Sequence, residues 1–236
     1  MKLNKLIKKS LAEDNYEKDI TSVSFENKLI LEAEILAKQP GLICGLSVAK
    51  QIFQAVDRKL KITLLKKDGD AVCSKNKTEP VLKVSGSAKS ILAAERTALN
   101  FLQHLSGIAT LTGKFVKTLG KSKIKIRDTR KTLPLMRSLE KYAVKTGGGE
   151  NQRKNLADQV LFKDNHWQCL KKCKISFKDY FIKLKKELSS DKTLKKNKPI
   201  FIQAEAKSLA EVAQILELKP DLILLDNMPI AEIKKA

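Results

Sequence analysis

From residue 123 onward one unit recurs in the chain: a short apolar strand, a charged loop, then a helix. Such repeats lay strands side by side in parallel with right-handed crossovers, which restricts this half of the chain to a β/α sheet or barrel. KIKIR, VLF, PIFIQAEA and DLILL supply the strands. At or just beyond their ends stand Asp128, Thr129, Arg130 and Lys131, then Lys163, Asp164, Asn165 and His166, then Glu205, then Asp226. In β/α barrels the chemistry collects at the C-terminal strand ends, so four consecutive strands ending in charge point to a shared pocket.

The charge composition narrows what that pocket holds. The 236 residues carry a formal net charge of +21, which by itself would suit a nucleic-acid or membrane-surface ligand. The cations are mostly dispersed lysines, however, and few aromatics interleave with them for base stacking. The six arginines are Arg58, Arg96, Arg127, Arg130, Arg137 and Arg153, and five of them fall between positions 96 and 153. A guanidinium matches a carboxylate or phosphate at two points, so this cluster reads as a site for a small polyanion. Glu205 and Asp226 add hard oxygen donors suited to Mg²⁺ shared with phosphate oxygens. A glycosidase pair is the competing use of two carboxylates, but a dense cationic setting disfavours the protonated acid it needs.

The N-terminal half reads differently. The spacing predicts a helix over 3–12, a half-buried strand with Leu29, Leu31, Ala33 and Ile35 on one face, and a helix through Val48, Ile52, Phe53 and Val56. Strands KITLL and VLKVSGSA follow, giving a small α+β domain of mostly antiparallel strands. A helical stripe through Ile91, Leu92, Ala98, Leu99, Leu102 and Leu105 is expected to break or bend at Ser106-Gly107 before a second helix through Leu111, Phe115 and Leu119. Pro134 suits the first turn of a helix whose buried face is Leu135, Leu139, Tyr142 and Ala143 and whose C-cap is Gly147. A lysine-laden helix over 167–188 and a polar linker, SSDKTLKKNK, come next. Ser208 and Glu211 form a capping box for a helix buried through Leu209, Val212, Ile215 and Leu216. Gly147-Gly148-Gly149 is no P-loop, since no GKS/T follows. Cys44, Cys73, Cys169 and Cys173 lack paired zinc-site spacing and read as free thiols. With no signal peptide or apolar span, the chain is expected to be soluble and cytoplasmic, without membrane or nucleic-acid partners.

ERTALNFLQHLSGIAT, IRDTRKTLPLMRSLEKYAVKTGGG, VLFKDNH and LILLDNM, with LAED and DIT near the start, resemble quinolinate phosphoribosyltransferase, also called nicotinate-nucleotide pyrophosphorylase (carboxylating). The resemblance runs in order to about Met228, and DTRKT and KDNH are its most specific segments. It implies an α/β fold: an N-terminal α+β domain with a helical connection over 1–110, then over 111–236 a TIM-like β/α barrel of the six-stranded type. It also implies that quinolinate and 5-phosphoribosyl-1-pyrophosphate give nicotinate mononucleotide, pyrophosphate and CO₂ with Mg²⁺, in de novo NAD biosynthesis. Carried over residue by residue, Thr129, Arg130, Lys131, Arg153 and Lys163 surround the substrates, with His166 beside them. Arg96 reaches the site from the neighbouring subunit of a homodimer or higher oligomer. Glu205 and Asp226 line the ribose and the Mg-pyrophosphate side, and Lys131, Glu205 and Asp226 carry the catalytic role. Three departures stand out: Gln152 where the family usually has His, Gln203 where Glu is common, and an end at Ala236 before the family's serine-glycine-glycine loop and last glycine-rich strand. The expectation is an incomplete barrel with weak or no activity alone. The alternatives are a paralogue of the same fold acting on another ring acid and a basic nucleic-acid-binding protein.

Overall fold

The computed structural model describes residues 2–26, 29–72, 77–190 and 201–236. The chain divides into two units, Met1–Gln152 and Arg153–Ala236, each with its own hydrophobic cluster. Cys73 and most of the polar linker SSDKTLKKNK lie outside the described residues.

In the first unit, α1 (Leu3–Glu13) presents Ile7 and Leu11, one turn apart and both 2% exposed, to the core. Strands β1 (Ile30–Ala37), β3 (Lys61–Leu64) and β5 (Glu79–Ser87) form an antiparallel sheet in the order β1-β5-β3. Central β5 buries Val81, Leu82 and Val84, whereas edge strand β1 half-buries only Ala33, Ile35 and Ala37; Leu31 is exposed. Two further short strands, β2 (Gly41–Leu42) and β4 (Ala71–Val72), pair with each other. Helix α2 (Leu46–Val56) buries Val48, Ala49, Ile52 and Phe53 against α3 (Ala88–Leu119). Each such buried side chain is worth about 1.5–3 kcal/mol, which gives this unit the larger core.

Helix α3 overturns the expected break at Ser106-Gly107, because it runs unbroken for 32 residues. Ser106 Oγ accepts from Cys44 N (2.9 Å) and donates to Cys44 O (3.2 Å), so its hydroxyl ties the helix to the loop before α2 instead of interrupting it. Gly107 is exposed, and a mid-helix glycine costs about 1 kcal/mol, less than the flanking packing supplies. Leu111 and Phe115, expected on a buried face, are more than half exposed.

The segment expected as the first parallel strand, KIKIR, forms no strand and makes a single parallel bridge, Arg127 to Glu150. Two backbone hydrogen bonds make that bridge, Glu150 N to Ile126 O (2.8 Å) and Asp128 N to Glu150 O (3.1 Å). The helix after Pro134, α4 (Arg137–Thr146), starts later than expected because Leu135 sits at φ +67°, outside helical space. Its buried face is Glu140, Lys141 and Ala143, while Leu135 and Tyr142 are exposed. Tyr142 Oη donates instead to Asp68 Oδ2 (2.8 Å), and Asp68 Oδ1 accepts Gly45 N and Leu46 N at the start of α2. Desolvation first, then that carboxylate, pushes the Tyr142 phenol up to about 12.

In the second unit β6 (Val160–Phe162), β7 (Ile202–Ala206) and β8 (Leu222–Leu225) form a parallel sheet in sequence order. The expected lysine-rich helix is two, α5 (Asp164–Lys172) and α6 (Phe177–Ser190), parted where Lys174 takes φ +55°. Phe162, Leu170, Ala204, Ala206, Val212 and Ile215 make the core, with Trp167 stacked on Phe177 at 3.5 Å between ring centres. Helix α7 (Leu209–Leu216) begins at the expected Ser208 cap, where Glu211 N donates to Ser208 Oγ (3.2 Å), but the reciprocal half of the box is displaced by one residue: Glu211 Oε2 accepts Lys207 N (2.7 Å) instead of the N-cap N–H. It buries Val212 and Ile215, whereas Leu209 and Leu216 are exposed. Strand β8 is half-buried throughout, and a short α8 (Ile230–Ile233) follows. The observed architecture is the α/β class expected from sequence, an antiparallel α+β unit followed by parallel β/α repeats.

Candidate functional site

Arg96, Thr129, Arg130 and Lys131 belong to the first unit; Arg153, Lys163, His166, Glu205 and Asp226 belong to the second. In the first unit the loop 128–133 is anchored by a charge buried under α4. The Asp128 and Lys141 side chains, 6% and 4% exposed, form an ion pair. Lys141 Nζ also donates to Gln152 O (3.0 Å), and Asp128 Oδ1 accepts Gln152 N (2.8 Å). With its amide nitrogen turned toward acceptors, Asn151 reaches Lys141 O and Asp128 Oδ2, both at 2.8 Å. A carboxylate and an ammonium that deep persist because each finds its partner and further hydrogen bonds. One hub therefore holds the chain just before Arg130-Lys131 and just before Arg153.

The far side of the loop is tied down separately. Glu140 Oε1 takes His104 Nε2 at 2.9 Å and Leu133 N at 3.3 Å. Lys131 N donates to Thr129 Oγ1 (3.0 Å), which turns the loop locally and leaves the Lys131 side chain exposed. Arg130 Nε is buried with no hydrogen-bond partner. A buried guanidinium donor left unpaired is costly, and an incoming carboxylate or phosphate would satisfy it. Arg96 is exposed on α3 and makes no ion pair among the described residues.

The triple glycine does packing work here. Gly147 caps α4 with an ordinary φ of −75°, yet a Cβ there would meet Ala109 O and lie 2.7 Å from Thr112 Cβ. Only glycine lets this helix end lie so close to α3. Gly148, at φ +88°, supplies the left-handed step that closes the turn.

In the second unit the parallel register sets the charges in rows. Phe162 pairs with Ala204, so one step on Lys163 faces Glu205, and Nζ meets Oε1 at 3.1 Å. Glu205 is only 11% exposed in its side chain, and the lysine gives this nearly buried carboxylate its ion-pair partner. Ala206 pairs with Leu225, which sets Lys207 opposite Asp226, and Asp226 N donates to Ala206 O (2.8 Å). Lys207 Nζ in turn donates to Asp164 Oδ2 at 2.6 Å. Its hydrogen bond to Asp164 holds the Lys207 ammonium above the usual lysine range, and the charges of Asp164, Asp226 and Glu205 add to this against desolvation. Hydrogen bonds from Lys207 and from Asn165 N hold the Asp164 carboxyl below its ordinary value.

Arg153 is 5% exposed and donates from Nη1 to Gln159 O (3.2 Å). His166 sits in the first turn of α5, where Nδ1 accepts Lys163 N (3.0 Å), and its ring lies 5.0 Å from that of Phe162. The neutral ring then carries its proton on Nε2, an assignment made from this hydrogen bond. Gln203 is 2% exposed, and its Nε2 reaches Gln159 Oε1 at 2.9 Å. This departure thus lies beneath the sheet rim as a neutral amide pair and leaves Lys163 and Glu205 intact.

Sequence reasoning missed Glu140, Lys141 and Lys207 as members of these clusters, and it placed Asp128 and Asp164 at segment ends without finding their partners. The alternation of β7 carried a signal for Lys207, since residues 203, 205 and 207 fall on one face. Lys141 gave none, because a charged residue on an apolar helix face reads as solvent-exposed.

The pattern of residues recurs in known proteins. Family models for the quinolinate phosphoribosyl transferase N-terminal and C-terminal domains match residues 19–106 and 108–236. The chain is 43% identical over 166 residues to a probable nicotinate-nucleotide pyrophosphorylase [carboxylating] of Bacillus subtilis (strain 168), covering 70% of this chain and 56% of that protein. It is 39% identical over 239 residues to the chloroplastic nicotinate-nucleotide pyrophosphorylase [carboxylating] of Arabidopsis thaliana, covering 97% and 64%. The crystal structure of nicotinate-nucleotide pyrophosphorylase from Ehrlichia chaffeensis matches with a TM-score of 0.86 at 36% identity, covering 100% of this chain and 80% of that one. The chain thus spans less than two thirds of the length of the first two relatives. Two domain models matched in order over nearly the whole chain, with DTRKT, KDNH and LLDN standing in the same succession, make this chain a member of the quinolinate phosphoribosyltransferase family.

Proposed function

We propose that this chain takes part in the transfer of phosphoribose from 5-phosphoribosyl-1-pyrophosphate to quinolinate with loss of CO₂, forming nicotinate mononucleotide and pyrophosphate for NAD biosynthesis. The observation that carries the reading is the Lys163–Glu205 pair at the strand ends, with Asp226 beside it on the next strand. Family membership supplies the reaction, and the unpartnered Arg130 Nε supports a carboxylate or phosphate ligand.

On this reading Arg130 and Lys131 bind the ring dicarboxylate, while Lys163 is the ion-pair partner of Glu205. As the bond from ribose C1′ to pyrophosphate breaks, positive charge grows on the ribose, and Glu205 and Asp226 stabilise it. The pyridine nitrogen then bonds to C1′. The electrons of the bond to the 2-carboxylate pass to the ring carbon as CO₂ leaves, and that carbon takes a proton. The pyridinium charge drives this step, so the protein's part is orientation and exclusion of water. Arg96, exposed on α3, would complete the site from a partner in a homodimer.

Glu205 and Asp226 would hold Mg²⁺, which when bound neutralises the leaving diphosphate. The donor set fits, since Mg²⁺ takes one or two carboxylates and completes its shell with water and phosphate. A cytoplasmic setting is part of the same proposal, in keeping with exposed free Cys169 and Cys173 and with described helices too short or too polar to cross a membrane.

The test is release of CO₂ from quinolinate that depends on the pyrophosphate donor. Slow but measurable donor-dependent turnover is expected of the parent chain, in line with the weak activity expected from its sequence, and Lys131→Ala is expected to lower kcat/KM by about 10²-fold or more. No donor-dependent CO₂ from the parent sinks the reading; equal rates for parent and variant sink the assignment of Lys131.

A further inference from the structure

The rim of the second unit holds a cation with no role in the scheme above. Lys207 lies one residue past β7, its backbone pinned by the Glu211 carboxylate at 2.7 Å and its Nζ 2.6 Å from Asp164 Oδ2. By register it faces Asp226, and it lies two residues from Glu205 on the same strand face. The rim thus sets two ammonium groups, Lys163 and Lys207, against three carboxylates, Asp164, Glu205 and Asp226. Among the described residues Glu205 is ion-paired to Lys163 and Asp164 to Lys207, while Asp226 has no ion-pair partner within 4 Å.

We propose that Lys207 is a resident counter-cation: by occupying the acidic rim it keeps Glu205 and Asp226 from capturing a free divalent cation, so that metal enters with the diphosphate. The inference rests on reading Glu205 and Asp226 as the metal-facing pair. Two cations against three carboxylates leave one net negative charge, which attracts a bare divalent ion weakly. Loss of Lys207 raises that to two and frees the Asp164 carboxylate as well. A donor that brings its own phosphate oxygens supplies the remaining ligands and offsets the repulsion between Lys207 and the metal.

The experiment is titration of the full chain with Mn²⁺ alone, without donor or quinolinate, by calorimetry and electron paramagnetic resonance. Lys207→Met is expected to bind Mn²⁺ about tenfold more tightly than the parent. Lys207→Arg, which keeps the charge, stays at the parent's affinity, and adding Asp226→Asn to Lys207→Met reverses the gain. Lys207 is well exposed, so these variants are expected to fold, and circular dichroism verifies it. The same Mn²⁺ affinity in parent and Lys207→Met, including no binding to either, overturns the proposal, as does an equal gain in Lys207→Arg. If the parent releases CO₂ from quinolinate and Lys207→Met gains no Mn²⁺ affinity, only the counter-cation falls. If Lys207→Met gains affinity and the parent shows no turnover, the proposed reaction falls and the counter-cation stands.

Discussion

At the scale of single residues, two ion pairs of opposite character define the functional surfaces. Asp128–Lys141 is buried, so removing one partner strands the other without solvent. Lys141→Met is expected to destabilise the protein by about 3–5 kcal/mol, read as a lower urea midpoint at unchanged m value. A loss under 1 kcal/mol would show that the hub does not carry the loop. Asp164–Lys207 is exposed, and its signature is titration, not stability. Asp164 is lowered in the folded state, so its contribution is present above the unfolded carboxylate value and is lost as pH falls through the folded one. Lys207 is raised, so its contribution is present below the unfolded lysine value and is lost only as pH rises through the folded one. The pair thus spans the whole neutral range. Carbon NMR of Asp164 should give a midpoint below about 3.9, moving up in Lys207→Met; an unmoved midpoint means the pair does not form in solution.

At the scale of elements, glycines separate backbone freedom from packing. Gly107 lies exposed inside α3 with no atom within 4 Å of a Cβ built on it, so Gly107→Ala should raise stability by about 0.5–1 kcal/mol. Gly147 has helix-compatible dihedrals, yet its Cβ would press on Ala109 O and Thr112. Gly147→Ala is therefore expected to lower stability by about 1–3 kcal/mol despite the same gain in chain entropy. Thermal unfolding of the two variants side by side decides the matter, and two shifts of the same sign refute the distinction. The α4 contact with α3 thus depends on the absence of one methyl group.

For the whole molecule, 47 Lys and Arg against 26 Asp and Glu give a field that draws in anions of any kind. Specific binding must be told apart from this background. On the proposed function, quinolinate at about 100 times its Kd should stabilise the fold by about 2.7 kcal/mol, a rise in Tm of several degrees. Lys131→Ala should lose most of that rise, whereas an inert dianion of equal charge should produce little in either protein. Equal shifts with both anions would reduce the effect to general electrostatics, which salt screens.

Much of the α/β order was legible in the sequence. The strand-then-helix repeats, the Ser208–Glu211 cap and the acids and bases ending β6, β7 and β8 follow from local periodicity and side-chain chemistry, which act over a few residues. Only the tertiary structure decided that Gly107 leaves α3 whole, that KIKIR forms one bridge instead of a strand, and that α4 turns Glu140 and Lys141 inward. It also decided the partners of the rim. Asp164 meets Lys207 across 43 residues of chain, and Lys163 meets Glu205, through the parallel register alone. Sequence pattern reports which residues prefer burial and which backbone shapes are cheap. Which charge meets which is settled by strand register and helix packing, where a buried ion is stable only if its partner arrives from a distant segment.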